Sequence, residues 1–465
     1  MGMSEDEIVQ ILREAIEPAM IATDTDTRVF MARDALHPSR LPAGEPVQPL
    51  CVVRPRCTDD VASVLRVANA AKCPVIPVGG GSGLMGGASS VIPGIVLDLR
   101  QLQKIEIRAA DRMADVGAGV TIKALNEAAE PHGLMCGHDP WTVAVATVGG
   151  TISTNSLGYL GGKYGAMGDQ VLGLEAVLPT GEVIRTRAVE KASTGPALHP
   201  LLVGAEGCFG VITQAVLRLV PLPQTRLLQA WTFRDFASGF EAINDVLSAG
   251  IRPGLLDYGD DEPSTAHDPP CTLMVSYEGP KAVAQAEAKA AAMLCQRHRG
   301  QLRPHREAER FWQERHASGD AYARARAAGK PWDRQRPRFD YLHVALPPSA
   351  VLTYRRQCLE LLAQHKCQVH QTGLWDHAGL FSLSYSVGAD ASRDDIHRAL
   401  LSACQDLDGA MEYCHGVGTR LAGLMSREHG VGLDVLRSLK HGLDPNGILN
   451  PGKLALTDAA ATELA

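Results

Sequence analysis

The sequence predicts an α+β protein with two principal domains, and three observations lead to this prediction. A chain of 465 residues is long enough for two or three domains with ample core. Residues 51–81 have the pattern of a compact strand–helix–strand unit. Beyond residue 224 the pattern changes to strands alternating with amphipathic helices, typical of an antiparallel sheet flanked by helices. The predicted divisions are 1–46, an N-terminal helical segment with a linker; 47–223, the first domain; 224–410, the second domain; and 411–465, a C-terminal segment.

The N-terminal part of the chain carries clear helix signals. Ser4 is placed to cap a first helix, with Glu7 in the capping-box position, and a proline-rich stretch at 37–49 then links to the first domain. In the strand–helix–strand unit, Thr58 is the predicted helix N-cap. The buried stripe of that helix is predicted to comprise Val61, Val64, Leu65 and Ala68.

The remaining elements follow from periodicity and breakers. In the first domain we expect strands at 75–78, 95–99, 104–108 and 114–117, and a helix at 121–130 that Pro131, His132 and Gly133 end. Pro221 and Pro223 mark the exit from this domain. In the second domain the strand and helix patterns lie at 238–250, 272–279, 282–298, 341–365 and 380–387. The basic stretch 301–338 is predicted to be a solvated helix plus loop, with a phosphate-gathering patch as the alternative.

Composition and charge exclude several classes of protein. A net charge of −7 without a basic run argues against nucleic acid as a partner. No apolar stretch approaches the length of a membrane span, and the acidic N-terminus is not a signal peptide. Eleven cysteines without a CxxC pair are typical of reduced thiols in a cytoplasmic protein.

Three glycine-rich segments carry the strongest functional signal. The first holds six glycines within nine residues, at Gly79, Gly80, Gly81, Gly83, Gly86 and Gly87. The second spans 147–165, where glycines alternate with small hydroxyl and amide residues, and the third spans 204–213. Glycine loops at strand ends let consecutive backbone N–H groups close on an anion such as a diphosphate. The first segment fits neither a P-loop nor a Rossmann fingerprint, and a flexible linker is its alternative interpretation. Together the segments suit one long dinucleotide.

These motifs carry a family resemblance. The first glycine segment, the stretch from His138 to Val183, GAEGCFGVIT at 204–213 and the C-terminal HGVG and LDPNGILNPGKL resemble FAD-linked oxidases of the vanillyl-alcohol-oxidase or p-cresol-methylhydroxylase (PCMH) type. Within that superfamily the chain is most similar to the branch of D-lactate, glycolate and D-2-hydroxyglutarate dehydrogenases and alkyl-dihydroxyacetone-phosphate synthase. The resemblance implies a PCMH-type FAD-binding domain at 47–223, a cap, or substrate, domain at 224–410, and a C-terminal segment that returns to the flavin.

The resemblance also implies which residues hold FAD. The first segment and residues 147–156 would hold the diphosphate, and Val211 and Ile212 would lie near the adenine. No histidine stands between Pro77 and Ala88, so non-covalent FAD is predicted, with Cys136 and His138 as the nearby candidates for a covalent link. The predicted cofactor-binding residues are Pro77, Gly79, Gly80, Gly81, Ser82, Gly83, Gly86, Asp139, Thr147, Gly149, Gly150, Ser153, Thr154, Asn155, Tyr164, Gly165, Glu206, Gly207, Val211, Ile212 and Asn450.

His415 is the predicted catalytic base. It precedes Gly-Val-Gly and lies 29 residues before Asp444, close to the family's spacing. A histidine suits the removal of a hydroxyl proton near neutral pH while hydride leaves for flavin N5. The Glu-His-Gly at 428–430 has the wrong spacing, so His429 is interpreted as a decoy.

No metal is predicted. In metal-dependent relatives the residue before this histidine is a glutamate ligand, which joins two further histidines; here it is Cys414. The corresponding cap segment offers Asp376 and His377 without a second histidine at the expected spacing. A thiol, an aspartate and one imidazole without matched spacing make a weak site.

Further catalytic candidates are Tyr385 and Arg420. Tyr385 falls near the place of a cap-strand tyrosine in the synthase, and a core role is its alternative. Arg420, Arg315 and His370 are candidate anchors for a carboxylate or phosphate.

The predicted function is metal-independent oxidation of an alcohol or 2-hydroxy acid by an FAD-dependent cytoplasmic enzyme. A synthase-like reaction without net redox change and a non-enzymatic flavin-binding module are the alternatives. We expect a small-molecule substrate, an electron acceptor that is oxygen, a quinone or a carrier, no nucleic acid, no integral membrane span, and a homodimer as the open alternative to a monomer.

Overall fold

The first part of the chain builds a small sheet covered by helices. A computed structural model describes residues 3–42, 44–260, 269–330, 332 and 338–457. The strands pair in the order β1-β2-β4-β3, and β2, β4 and β3 run parallel. The elements are α1 (Glu5–Ala15), β1 (Ile21–Ala22), α2 (Thr25–Met31), β2 (Cys51–Val53), α3 (Thr58–Ala71), β3 (Val75–Val78) and β4 (Ile95–Asp98).

Several predictions for this part are confirmed. The Ser4 side chain accepts from the Glu7 N–H and completes the capping box of α1. The α3 stripe of Val61, Val64, Leu65 and Ala68 is fully buried. The N-cap of α3 is Cys57 rather than Thr58. The Thr58 hydroxyl instead donates to the Glu175 carboxylate at 2.5 Å, so it ties the helix to a neighbouring strand.

A second sheet is antiparallel, with strand order β5-β6-β10-β8-β9, and a small ladder joins β11 to β7. The predicted strands and helix of this region form within one residue of the expected bounds, and Gly133, with a positive φ, ends the 3₁₀ turn that follows the helix. The elements are β5 (Ile105–Arg108), β6 (Met113–Gly117), α4 (Ile122–Ala129), β7 (Leu134–Met135), α5 (Val148–Ser153), α6 (Gly161–Tyr164), β8 (Val171–Val177), β9 (Val183–Arg185), α7 (His199–Leu202), β10 (Val211–Arg218) and β11 (Val220–Pro221).

The third sheet is larger, with seven strands in the order β15-β12-β14-β13-β17-β18-β16, and its pairings are antiparallel. The strands predicted for the second domain belong to this sheet, and the predicted helices are also present. The elements are β12 (Thr225–Phe233), α8 (Phe236–Ser248), β13 (Leu256–Asp260), β14 (Cys271–Gly279), α9 (Lys281–Arg297), β15 (Gln301–Leu302), α10 (His305–Glu314), α11 (Ala317–Ala327), β16 (Phe339–Ala345), α12 (Pro348–Gln364), β17 (Gln368–Trp375), β18 (Leu380–Ser386) and α13 (Arg393–Gln405).

The C-terminal segment returns to the first two sheets. It contains α14 (Met425–His429) and α15 (Val431–Leu443), and Asn450 N–H donates to the carbonyl of Val75 in β3. Single 3₁₀ turns occur at Pro18–Met20, Pro38–Arg40, Leu99–Gln101, Glu130–His132, Met167–Gln170 and Ala422–Leu424. Within the described ranges no helix is long and apolar enough to cross a membrane. Of the basic stretch 301–338, residues 331 and 333–337 lie outside the described residues.

Candidate active site

One cavity brings the three glycine segments and the C-terminal loop together. About 1140 Å³ of space, which includes open solvent at its mouth, lies between its walls. Sixteen of the predicted site residues lie on its wall: Pro77, Gly79, Gly80, Gly81, Ser82, Gly83, Thr147, Gly149, Gly150, Ser153, Thr154, Glu206, Gly207, Val211, Ile212 and His415. Four chain segments far apart in sequence therefore share one surface.

The first and second glycine segments touch each other along this wall. A Cβ built on Gly80 would lie 2.0 Å from the carbonyl oxygen of Val145, and one on Gly79 would lie 2.3 Å from Thr147 Oγ1. Only glycine permits this approach. The Thr147 hydroxyl accepts from Gly150 N–H at 3.3 Å and starts α5. The result is a narrow wall of backbone, which suits a flat ligand with a diphosphate.

Glu206 joins the third glycine segment to the C-terminal loop. Its Oε1 accepts from the N–H groups of Val417 at 2.6 Å and Gly418 at 3.0 Å, and Oε2 accepts from Gly418 at 2.9 Å. Burial raises the pKa of Glu206 to about 7, against these hydrogen bonds. Asn450 adds a second link, since its Nδ2 donates to the carbonyl oxygens of Gly87 and Glu206. These contacts hold Gly416–Gly418 against the cavity.

Six predicted cofactor-binding residues do not lie on the cavity wall. The two glycines have positive φ and lie close to other residues: Gly86 (φ +77°) leaves room for Thr419 and Leu41, and Gly165 (φ +79°) adjoins Asp169. Asp139 pairs with Arg315 and His316, and Tyr164 donates to Glu278. Asn155 accepts from Gly168 N–H, and Asn450 links Gly87 to Glu206. They support the loops that form the wall instead of lining it.

His415 lies on the wall beside a buried carboxylate. Glu412 Oε1 is 3.4 Å from His415 Nδ1 and accepts the backbone N–H groups of Cys414 and His415. Burial lowers the pKa of His415, but the adjacent Cys414 and Glu412 outweigh it and place that pKa well above its usual value. Burial likewise opposes ionisation of Glu412, but the His415 imidazole outweighs it and lowers the pKa of Glu412. Each group of the pair therefore favours the charged form of the other.

Aromatic side chains of the third sheet surround His415. The rings of His343 and Tyr341 in β16 lie with their centroids 4.7 and 5.9 Å from that of His415. His343 Nδ1 shares a hydrogen bond of 3.2 Å with the Tyr413 hydroxyl, and burial together with the charge of His415 lowers the pKa of His343 to about 3. His343 is thus a neutral neighbour.

Sequence reasoning did not identify Glu412, His343 or Tyr341. The carboxylate three residues before His415 is a signal that could have been read. No local pattern connects β16 to this site.

Two predicted catalytic residues are not brought to the cavity. Tyr385 is fully buried in β18, and its hydroxyl hydrogen-bonds His397 Nδ1 at 3.2 Å. Arg420 Nη2 donates to both oxygens of the buried Asp340, at 2.5 and 2.7 Å. Both predictions are therefore corrected to structural roles. The contact of Arg420 with the surroundings of His415 is made by Tyr341, whose ring centroid is 5.6 Å from the Arg420 guanidinium carbon.

The other candidate anchors also have protein partners. Arg315 Nε donates to Asp139 Oδ2 at 2.9 Å, and Arg315 Nη1 donates to the carbonyl of Trp312. His370 Nε2 hydrogen-bonds Ser386 Oγ at 2.7 Å. Arg315 lies near the site, since Tyr159 donates to its carbonyl and stacks on Trp375.

The candidates for a covalent link do not line the cavity. Cys136 and His138 are buried; the Cys136 thiol donates to Gln170, and His138 Nε2 hydrogen-bonds Ser156. Burial lowers the pKa of His138 to about 4. Cys414, by contrast, lies on the wall, with its thiol directed to the carbonyl of Leu157 at 3.5 Å.

The remaining motif residues lie apart from one another. His377 Nδ1 accepts from Gly379 N–H, and Asp376 is buried. In α14, Glu428 next to His429 accepts from Gln405 and from Met411 N–H. Among the residues that the structure describes, no three His, Cys, Asp or Glu side chains are grouped to hold a metal ion.

Comparison with known protein families identifies both halves of the chain. Residues 49–187 match the family described as FAD binding domain. Residues 222–454 match the family described as FAD linked oxidases, C-terminal domain.

Curated relatives extend over nearly the whole chain. It is 31% identical over 416 residues to the D-lactate dehydrogenase of Archaeoglobus fulgidus, which covers 87% of this chain and 90% of the relative. It is 28% identical over 434 residues to the glycolate oxidase subunit GlcD of Bacillus subtilis, with 88% and 90% covered.

Solved structures share the fold. An alkyldihydroxyacetonephosphate synthase superimposes with a TM-score of 0.74 at 19% identity, covering 97% of this chain and 85% of that one. A p-cresol methylhydroxylase with substrate bound gives a TM-score of 0.76 at 17% identity, covering 97% and 96%.

Proposed function

The chain belongs to the FAD-linked oxidases, and from this premise we propose that it oxidises an alcohol or a 2-hydroxy acid without a metal, with His415 as the base. The observation that carries the proposal is His415 itself, because it is a titratable imidazole on the cavity wall with a buried carboxylate 3.4 Å from Nδ1. A base needs both a place beside the substrate and a fixed orientation. Glu412 fixes the orientation of the His415 imidazole.

The glycine segments fit FAD. Their wall is formed by backbone, and a Cβ added at Gly79 or Gly80 would collide with neighbouring atoms. All three segments line the same cavity. Residues 79–83 and 147–154 would hold the diphosphate, and Val211 and Ile212 would lie at the other end. Bound FAD supplies the hydride acceptor for the reaction.

The protein's own residues handle the proton. The neutral form of His415 takes the hydroxyl proton of the substrate, and the resulting imidazolium is stabilised by Glu412. Glu206 keeps the loop of His415 in place through the N–H groups of Val417 and Gly418. The rings of His343 and Tyr341 restrict the space beside the imidazole.

The charged groups near the site keep both substrate classes in the proposal. Arg315 is one guanidinium that could recognise a carboxylate, but Asp139 compensates its charge. Asp257, beside Trp375 in the sheet, adds a carboxyl whose pKa burial raises to about 7.

Anaerobic mixing of the holoenzyme with matched alcohols and 2-hydroxy acids tests the proposal, with flavin bleaching as the readout. We expect one class to bleach the flavin, and His415→Asn to slow that step by about 10²- to 10⁴-fold with an unchanged FAD spectrum. The matched control is His429→Asn in α14, which should leave the rate unchanged. If His429→Asn slows flavin reduction and His415→Asn does not, the base is His429 and not His415. Turnover of substrate without any flavin bleaching would favour a synthase-like reaction.

A further inference from the structure

Helix α11 of the third-sheet region buries an unusual face. Gly319, Tyr322 and Arg326 are its buried residues, and their spacing of three and four places them on one side of the helix. A helix that packs for stability alone buries an apolar stripe. A buried face of glycine, tyrosine and arginine indicates a specific polar contact. The helix belongs to the basic stretch 301–338, for which a phosphate-gathering patch is the alternative interpretation of the sequence.

This face docks on two segments of the cavity wall. The Tyr322 hydroxyl donates to the carbonyl of Gly81 at 2.5 Å. A Cβ on Gly319 would lie 1.9 Å from the carbonyl oxygen of Trp141, so the helix approaches as closely as glycine allows. Gly81 and Trp141 both line the cavity.

Arg326 lies against the same glycine loop, beside the Tyr322 hydroxyl. It is 8% exposed, and its Nη2 lies 2.2 Å from where a Cβ of Gly81 would be. Nε and Nη2 have no hydrogen-bond partner, and no carboxylate of the described ranges forms an ion pair with the guanidinium. The ring of Phe30 lies 4.9 Å from the guanidinium carbon. A buried charge is costly without a counter-ion, so an anion bound on the other side of this loop would stabilise the guanidinium.

We propose that Tyr322 and Arg326 of α11 form a further part of the FAD site, contributed by the substrate domain. Tyr322 fixes the Gly81 carbonyl, and Arg326 supplies the positive charge behind the loop that holds the diphosphate. FAD binding and the docking of α11 are then coupled, since each stabilises the other. The inference depends on FAD binding and is independent of which substrate is oxidised.

FAD release from the holoenzyme after dilution, followed by flavin fluorescence, measures this contribution. Arg326→Gln should weaken FAD binding by roughly 10- to 100-fold, and Tyr322→Phe by roughly 2- to 10-fold, the usual range for a charged and a neutral hydrogen-bonding partner. Arg326→Lys should retain most of the affinity. The matched control is Tyr354→Phe, which loses an equally buried hydroxyl whose partner is the Leu400 carbonyl. Affinities of Arg326→Gln and Tyr322→Phe equal to that of Tyr354→Phe would overturn the proposal.

Limited trypsin digestion of the wild-type chain gives a second readout that needs no variant. Arg324 is exposed on α11, and Arg187 is exposed after β9. FAD should slow cleavage after Arg324 and leave cleavage after Arg187 unchanged, because only α11 is coupled to the cofactor. Equal effects of FAD at both positions, or none at Arg324, would contradict the coupling.

Discussion

The proton affinity of His415 is set by its neighbours more than by its burial. Glu412 lies 3.4 Å from Nδ1 and is held ionised by the His415 charge and by backbone N–H groups. The pKa of His415 therefore lies above the usual imidazole value of about 6.5. The sequence alone suggests a base that titrates near neutral pH, and the contact with Glu412 raises the pKa of this base above that range.

The rate of flavin reduction should accordingly rise with pH through an inflection on the alkaline side of the usual imidazole value. Only the neutral imidazole accepts a proton, so a raised pKa shifts the active fraction to higher pH. Glu412→Gln keeps an acceptor for the two backbone N–H groups but removes the charge. We expect its inflection at lower pH than that of the wild type, in stopped-flow measurements under anaerobic conditions.

Glu360→Gln, an exposed carboxamide substitution in α12, provides the control for a general effect of charge. An inflection that does not move in Glu412→Gln would mean that another group controls the profile. An inflection that moves upward would contradict the assigned sign.

At the scale of elements, a few strong hydrogen bonds hold the C-terminal loop in place. Glu206 accepts three hydrogen bonds from the loop after His415. Glu206→Ala would leave two N–H groups without partners, so we expect a loss of about 2–4 kcal/mol in the free energy of unfolding. Chemical denaturation measures it, with the exposed Glu182→Ala as the control within about 0.5 kcal/mol of wild type. Equal stabilities of the two variants would show that the loop is held by other contacts.

The first glycine loop makes a sharper prediction, for FAD binding. Gly80→Ala should abolish it, because the new Cβ would meet the Val145 carbonyl at 2.0 Å and separate the two glycine segments. The reason is close contact and not backbone conformation, since Gly80 is not among the glycines with positive φ. The flavin absorbance of the purified protein measures the outcome.

Gly423→Ala is the control for Gly80→Ala, since nothing lies within 4 Å of its Cβ position. A fully yellow, folded Gly80→Ala protein would remove this loop from the FAD site.

Local elements could be predicted because their signals are local. The capping box of α1 and the apolar stripe of α3 depend on neighbours within one turn. The N-cap of α3 was misplaced by one residue because Thr58 is engaged by Glu175, 117 positions away. Tyr385 shows the same limit, since a tyrosine in a strand pattern carries no sign of which face it occupies.

At the scale of the whole molecule, the site depends on contacts that no segment encodes alone. The strand order of the third sheet places β16, from the middle of the chain, beside His415 near its end. Motif order identified the three glycine segments because each contributes several residues from one short stretch to the cavity wall. The contributions of His343 and α11 required the assembled fold, because their partners are brought to them by packing.

The assembled donor set leads to a last prediction, on metal dependence. Cys414 stands where metal-dependent relatives have a glutamate, and its thiol faces the Leu157 carbonyl. His377 is occupied by Gly379 N–H, and the described residues offer no group of three metal-binding side chains. A catalytic metal supplies several kcal/mol of transition-state stabilisation, so its removal would slow the reaction more than a hundredfold.

Exhaustive dialysis against a chelator should therefore leave the rate of flavin reduction unchanged. The control is the same dialysis of a metal-dependent hydroxy-acid dehydrogenase, which should lose activity. Activity lost on chelation and restored by one divalent cation would mean that Cys414 and His415 lie in a metal site after all. In that case the slow rate of His415→Asn would no longer identify a base, because the loss of a metal ligand would also slow the reaction.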